Sequence, residues 1–228
     1  MVTFVAWLTA AVSAAAQTPS HAVQTPVVVT TGVAVVRRTP DRAFVDIAVE
    51  ARAKNPRDAQ RQNADAMTAV RQRLTQARIA NDAVKTLGYT LDQEFEMVQN
   101  NRVPAGFVAR NTIEVRIDDI TRVGEIIDLA VRGGANSVAG IRFDLKDRAE
   151  AEREALRLAV ADARGRAEAA AAGAGVTVDR VLQIEDRREP VVVPRPMMMA
   201  ARVAEATTPV EAGSIEIRAT VTLTAAIR

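Results

Sequence analysis

The chain has 228 residues, 30 Lys and Arg against 28 Asp and Glu, a single His and no Cys. At roughly 100–200 residues per domain it holds one large domain or two small lobes. A hydrophobic share of 48% with 25% charged residues excludes wholesale disorder and a polytopic membrane protein. The missing thiols remove disulfides, thiolate nucleophiles and iron–sulfur clusters, and one His leaves imidazole-based metal sites and triads without their usual parts. Net charge is only +2, bases are interleaved with acids, and aromatics make up 3%, so neither a basic face nor a stacking platform marks a nucleic-acid partner.

The first sixteen residues, MVTFVAWLTAAVSAAA, carry no charge. Their apolar run, Val5 to Val12, is too short for a ~30 Å hydrocarbon layer and ends in Ala14-Ala15-Ala16, a small-residue pattern that a signal peptidase accepts. The expectation is a signal peptide over residues 1–16, cleaved near Ala16, and a periplasmic destination. No Lys or Arg precedes the run, which points to an upstream start or an atypical signal. A lipid-anchored lipoprotein is excluded because no Cys follows. Residues 17–26, rich in Thr, Pro, Ser and Gln, read as a flexible leader, and His21 falls there, away from any expected catalytic surface.

A folded domain is expected over 27–228. The β-branched segment Val27 to Arg38 and the alternating segment Ala43 to Arg52 read as two strands. The intervening Thr39-Pro40-Asp41-Arg42 reads as the turn of an opening hairpin, since Pro presets φ and Asp bonds the following backbone. Asn55-Pro56-Arg57-Asp58 supplies a cap, a first-turn Pro and an acid for a helix to about Arg78, with Met67, Val70, Leu74 and Ala77 on its buried stripe.

The period then changes to two. Leu87, Tyr89, Leu91, Phe95 and Met97 form one row and Phe107, Ala109, Ile113, Val115 and Ile117 another, on either side of a loop over 99–104. This predicts a long half-buried hairpin, with Gln93 and Asn111 on its apolar faces at the solvated end. A short helix near Thr121 to Arg132 stops at Gly133-Gly134, and Val138 to Leu145 reads as a strand. Asp147 and Glu150 resemble a capping box for a third helix, about Arg148 to Ala172, with the thin stripe Leu156, Val160, Ala163 and Ala167 and an end at Gly173. Val178 to Ile184 and Ile215 to Ile227 are the closing strands. Between them, 185–213 contains Pro190, Pro194 and Pro196 beside Met197-Met198-Met199 and reads as a long mobile excursion. The order ββα-ββ-αβ-αββ predicts an α+β protein with mainly antiparallel sheets and three helices.

No nucleophile elbow, Walker loop, zincin motif or dinucleotide fingerprint is present. Asp118, Asp119 and Asp128 are the one candidate cation cluster, and they are better explained as acids complementing a helix dipole. Glu150, Glu152 and Glu154 read as first-turn acids. Gly133-Gly134 and Gly173-Ala174-Gly175 read as helix stops rather than phosphate cradles. The sequence thus assigns no catalytic, cofactor-binding or metal residue and implies no cofactor. The three Met residues leave open reversible oxidation, soft-metal contact or insertion into a partner or membrane, beside a plain surface loop.

Several segments together resemble a known family: Thr31-Gly32-Val33 followed by Thr39-Pro40-Asp41-Arg42-Ala43, the Asn-rich first helix, Gly106-Phe107-Val108-Ala109-Arg110-Asn111, Gly134-Ala135 after the second helix, and an Ala/Arg third helix closing at Gly173. In order and spacing over Val27 to Arg228 they resemble the SIMPL domain family, whose members include bacterial periplasmic immunogenic and oxidative-stress-defence proteins. The resemblance implies an exported or envelope-associated bacterial protein, an α+β domain and, in some members, large ring-like homo-oligomers; it brings no catalytic residues. The resulting expectation is a non-enzymatic, homo-oligomeric scaffold or interaction protein, in contact with an envelope protein or the outer membrane. The alternative is a periplasmic ligand-binding protein or enzyme using a cleft between lobes.

Overall fold

The computed structural model describes residues 25–187 and 211–228. The expected signal peptide, His21 and Met197-Met198-Met199 lie outside the described residues. The elements are β1 (Val27–Arg38), β2 (Arg42–Ala53), α1 (Pro56–Gln76), β3 (Val84–Val98), β4 (Asn101–Ile117), α2 (Val123–Arg132), β5 (Ser137–Asp144), α3 (Arg148–Gly173), β6 (Val178–Asp186) and β7 (Ile215–Ile227). This is the expected α+β order. All strand pairs are antiparallel, and they form two sheets, β1-β7-β6 and β3-β4-β2-β5.

The opening hairpin is not formed. β1 pairs along its whole length with β7, from Val27 opposite Ala226 to Arg38 opposite Ile215, whereas β2 lies between β4 and β5. Residues 39–41 therefore carry the chain from one sheet to the other. Asp41 is anchored to the far end of β5: its N–H donates to the Asp144 carbonyl at 3.3 Å, and its Oδ1 accepts from the Lys146 N–H at 2.7 Å. The physical reason is burial. Val45, Ile47 and Val49 are fully covered and need neighbours on both sides, which a two-stranded hairpin does not supply.

The four-stranded sheet is covered on one face by α1 and α2. The helix starts where its cap residues dictate, with Asn55 accepting from the Asp58 N–H at 2.9 Å and Pro56 in the first turn. Met67, Val70 and Leu74 then pack with Val45, Ile47, Ile113, Val115, Ile117, Val123 and Ile126. Asn63 shares the buried stripe, and its Nδ2 donates to the Val49 and Ala109 carbonyls at 2.7 and 2.9 Å, tying α1 to two adjacent strands. A hairpin does join β3 to β4, but through Gln99 and Asn100 alone, at φ 48° and 67°, so the expected loop over 99–104 shrinks to a two-residue turn. Asn tolerates this left-handed geometry, and its mirror-type twist suits the flanking strands. Pro104 is accommodated because β4 extends beyond β2, whose last pair is Ala53 with Phe107.

The three-stranded sheet is covered on one face by α3. The buried stripe of α3 is Ala151, Ala155, Ala159, Ala163, Ala167 and Ala171; of the expected line Ala163 and Ala167 lie on it, whereas Leu156 and Val160 flank it half-buried. Alanine at every fourth position lets the helix backbone sit directly on β1. A Cβ at Gly32 would lie 2.1 Å from the Ala159 carbonyl oxygen and 2.3 Å from the Ala163 nitrogen. Thr30 Oγ1 donates to the Ala163 carbonyl at 2.7 Å, and the Val33 N–H donates to Asp162 Oδ2 at 3.0 Å. The helix ends at Gly173, and the left-handed residue is Gly175, at φ 73°. β6 reaches Asp186, two residues past the expected strand end.

The Gly32 contact sets an expectation for stability. Gly32→Val should force α3 off β1 and lower unfolding free energy by about 3 kcal/mol, the upper part of the usual overpacking range, as read by urea denaturation. Unchanged stability would mean that the helix is not seated on that glycine.

Candidate interaction surfaces

Helices cover one face of each sheet, so the opposite faces and the edges are what the fold presents outward. On the three-stranded sheet, Val27, Val29, Val33 and Val35 of β1 point away from α3 and remain exposed, Val29 at 58%. Across the ladder they meet Ala226, Thr224, Thr220 and Arg218 of β7. Strand alternation makes this row inevitable, because Thr30, Gly32, Ala34 and Val36 occupy the helix side.

The outer face of the four-stranded sheet is a lattice of charge. Glu50 accepts from both Arg110 and Arg52, and Arg52 also holds Glu94 at 3.0 Å. Arg142 reaches Glu114 and Asp144, each at 3.3 Å, while its guanidinium lies 4.1 Å from the centre of the Phe44 ring. Arg42 binds Asp118 at 2.7 Å. Hydrogen bonding to Arg110, with the charges of Arg110 and Arg52, holds the Glu50 carboxyl below its usual range; Arg42 chiefly does the same for Asp118. Asp46 is the exception. It stands directly opposite Glu114, and partial burial followed by that like charge pushes its carboxyl upward, with Arg142 opposing.

The third surface is β3 itself, an edge strand. Leu87, Tyr89, Leu91, Phe95 and Met97 are all exposed, Met97 at 67%. The expected half-burial of this row is therefore corrected. α1 packs chiefly over β2 and β4 and only marginally on β3, and Tyr89 and Leu91 remain exposed. Arg102 stacks 4.0 Å from the centre of the Phe95 ring. Sequence periodicity shows that a row exists, but it does not show how far a covering helix reaches.

The remaining sequence candidates are separated in space or used structurally. Asp118 is held by Arg42. Asp119 caps the turn before α2, its Oδ1 accepting from the Thr121 N–H at 3.1 Å and from Thr121 Oγ1 at 2.6 Å. Asp128 lies within α2. Among the described residues no three His, Asp or Glu side chains gather as a metal-holding group. Asp147 caps α3 by accepting from the Glu150 N–H at 2.8 Å, Glu152 pairs with Arg148 and Glu154 with Arg38. Gly134 takes φ 111° just past α2, as a helix stop requires. Gln93 is exposed as expected, but Asn111 is half-buried opposite Val49, with its Oδ1 covered and unpartnered among the described residues. Among the described residues, open depressions lie along the solvent side of α1, at Thr68, Arg71 and Thr75, and between the end of α3 and the start of β6.

The Asp46–Glu114 pair fixes a pH dependence. Because the Asp46 carboxyl titrates higher when folded, the native state binds the extra proton, and this group's contribution to stability falls as pH rises from 3.8 through the raised native value. Asp46→Asn is expected to stabilise the protein at pH 7 by about 0.5 kcal/mol, in line with a half-buried carboxylate facing a like charge across the ladder, and the gain should vanish at a pH below 3.8. Paired denaturation curves at the two pH values check this; a loss of stability at neutral pH would contradict it.

Residues 28–225 match the family model SIMPL, described as a protein of unknown function (DUF541). No curated protein matches the chain. The match reaches into every described strand and helix, from the second residue of β1 to Ala225 in β7, and the chain belongs to the SIMPL family.

Proposed function

We propose that the protein is an exported, non-catalytic scaffold of the bacterial envelope that associates with copies of itself, in the setting of oxidative-stress defence. The observation that carries the association is the exposed valine row of β1, Val27, Val29, Val33 and Val35, on the uncovered face of the three-stranded sheet. Sheets of this kind are stable when a second layer packs about 10 Å away, and α3 supplies that layer on one side only. A second copy brings an equal valine row to the valines, with Arg218 at one end of the patch. Export is supported by the uncharged, apolar first sixteen residues and the Ala14-Ala15-Ala16 end. The non-catalytic reading is supported by a composition with one His and no Cys, and the stress setting by likeness to other family members.

Sedimentation velocity on the purified chain tests the association. The expected species is a multiple of the chain mass of 24.5 kDa, and Val29→Glu with Val33→Glu should return it to one chain while leaving the fold intact. A single chain at working concentration, or assembly unaffected by the two glutamates, overturns the reading. For export, the mature N-terminus is expected just after Ala16, and a cell-derived protein that retains residues 1–16 contradicts it.

A further inference from the structure

We propose that the outer edge of β3 is a docking site for an extended polypeptide of another protein, added as a further strand, in which Lys or Arg alternates with apolar residues. An edge strand offers every second N–H and C=O outward, and natural proteins blunt such edges with charged side chains, above all Lys, with Pro, with bulges or with very short strands. Between Thr86 and Val98 there is neither Lys nor Pro, and β3 is 15 residues long. β3 carries one bulge, at Leu87, and at the second irregularity, between Glu94 and Phe95, the extra residue lies on β4, so among the described residues the rim from Gly88 to Val98 is open and the side chains beside it decide what it accepts.

Those side chains alternate. Tyr89, Leu91, Phe95 and Met97 make one face apolar, whereas Asp92, Glu94 and Glu96 make the other acidic. Glu94 is held by Arg52 at 3.0 Å, but Asp92 and Glu96 have no ion-pair partner among the described residues. A cross-strand neighbour stands about 5 Å away, close enough for an opposite charge to stabilise and a like charge to destabilise. The complement of this edge is a strand with bases on one face and apolar side chains on the other.

Charge also decides against a second copy of this chain. In the register that overlaps the whole apolar row, β3 set antiparallel on β3 and centred on Gln93 brings Asp92 against Glu94 twice, and the neighbouring register centred on Glu94 places Glu94 against Glu94 and Asp92 against Glu96. β6 carries Asp179, Glu185 and Asp186 against a single Arg180. β1 has no charge from Val27 to Val36, and the one Arg of β5, Arg142, already serves Glu114 and Asp144. No free edge of the described fold supplies bases at the spacing the acids require, so the occupant is a different polypeptide.

The test is fluorescence anisotropy of the full chain against labelled acetyl-KVKVKVK-amide, with acetyl-EVEVEVE-amide and acetyl-KGKGKGK-amide as probes of charge and apolarity. Binding is expected for the first peptide alone, falling with added salt. Asp92→Lys with Glu96→Lys should weaken it at least about tenfold and transfer preference to the glutamate peptide, as expected when two attractive cross-strand pairs become repulsive. Both positions are exposed, and an unchanged thermal midpoint confirms that the variant is folded. No binding, equal binding of the lysine and glutamate peptides, or a preference that the double variant does not move overturns the proposal. Loss of self-association in that variant, without peptide binding by the native chain, assigns the edge to a second copy and also overturns it. Sedimentation of the same samples separates this site from the valine face: a single chain that binds the peptide refutes self-assembly and leaves the β3 site standing.

Discussion

Backbone contact between α3 and β1 at Gly32 is the constraint on which the three-stranded half of the molecule depends. With alanine at every fourth position and no side chain beneath, the helix lies close enough for Thr30 and Val33 to bond to it directly. That closeness fixes which side of β1 is inside, and period-two geometry then sends Val27, Val29, Val33 and Val35 outward. The exposed row is a consequence of seating a 26-residue, alanine-faced helix on a sheet of three strands.

The four-stranded half solves the same problem with different materials. α1 and α2 meet the sheet through Met, Val, Leu and Ile, and Asn63 adds a polar fastening across β2 and β4. Its outer face is closed by charge, with Glu50 between two arginines and Arg142 bridging Glu114 and Asp144 above Phe44. Such exposed pairs contribute little stability one by one, but they keep that face wetted and unattractive to apolar surfaces. Against this polar face the apolar side of β3 stands out, at the margin of α1 and joined to the sheet by its ladder with β4 and the Arg52–Glu94 pair.

Element type and order were legible in the sequence because each depends on neighbours close along the chain. Asn55-Pro56 marked the start of α1, Asp147 capped α3, and the Ile/Thr alternation of β7 defined two faces. Pairing was not legible at the opening turn. Thr39-Pro40-Asp41 suits a hairpin, yet the partner of β1 lies nearly two hundred residues later, and the burial of Val45, Ile47 and Val49 draws β2 into the other sheet. Likewise, Ala163 and Ala167 lie on the packing stripe of α3 as the sequence suggests, but hydropathy adds Leu156 and Val160 to it, whereas the close approach at Gly32 selects the smallest side chains. The exposed apolar row on β3 was visible as a periodicity, but its lack of cover depends on where α1 lies, which no local pattern reports.

Amide hydrogen exchange on the dilute full chain tests most directly whether the β3 arm is uncovered in a single molecule. Amides of β2, of β4 from Phe107 onward and of β7 should exchange only with global unfolding, while those over 89–98 on the open side of β3 should exchange orders of magnitude faster. Protection of the arm equal to that of β2 at the lowest workable concentration would mean that another part of the chain already covers it, and the one-sided covering of the sheets would then be wrong.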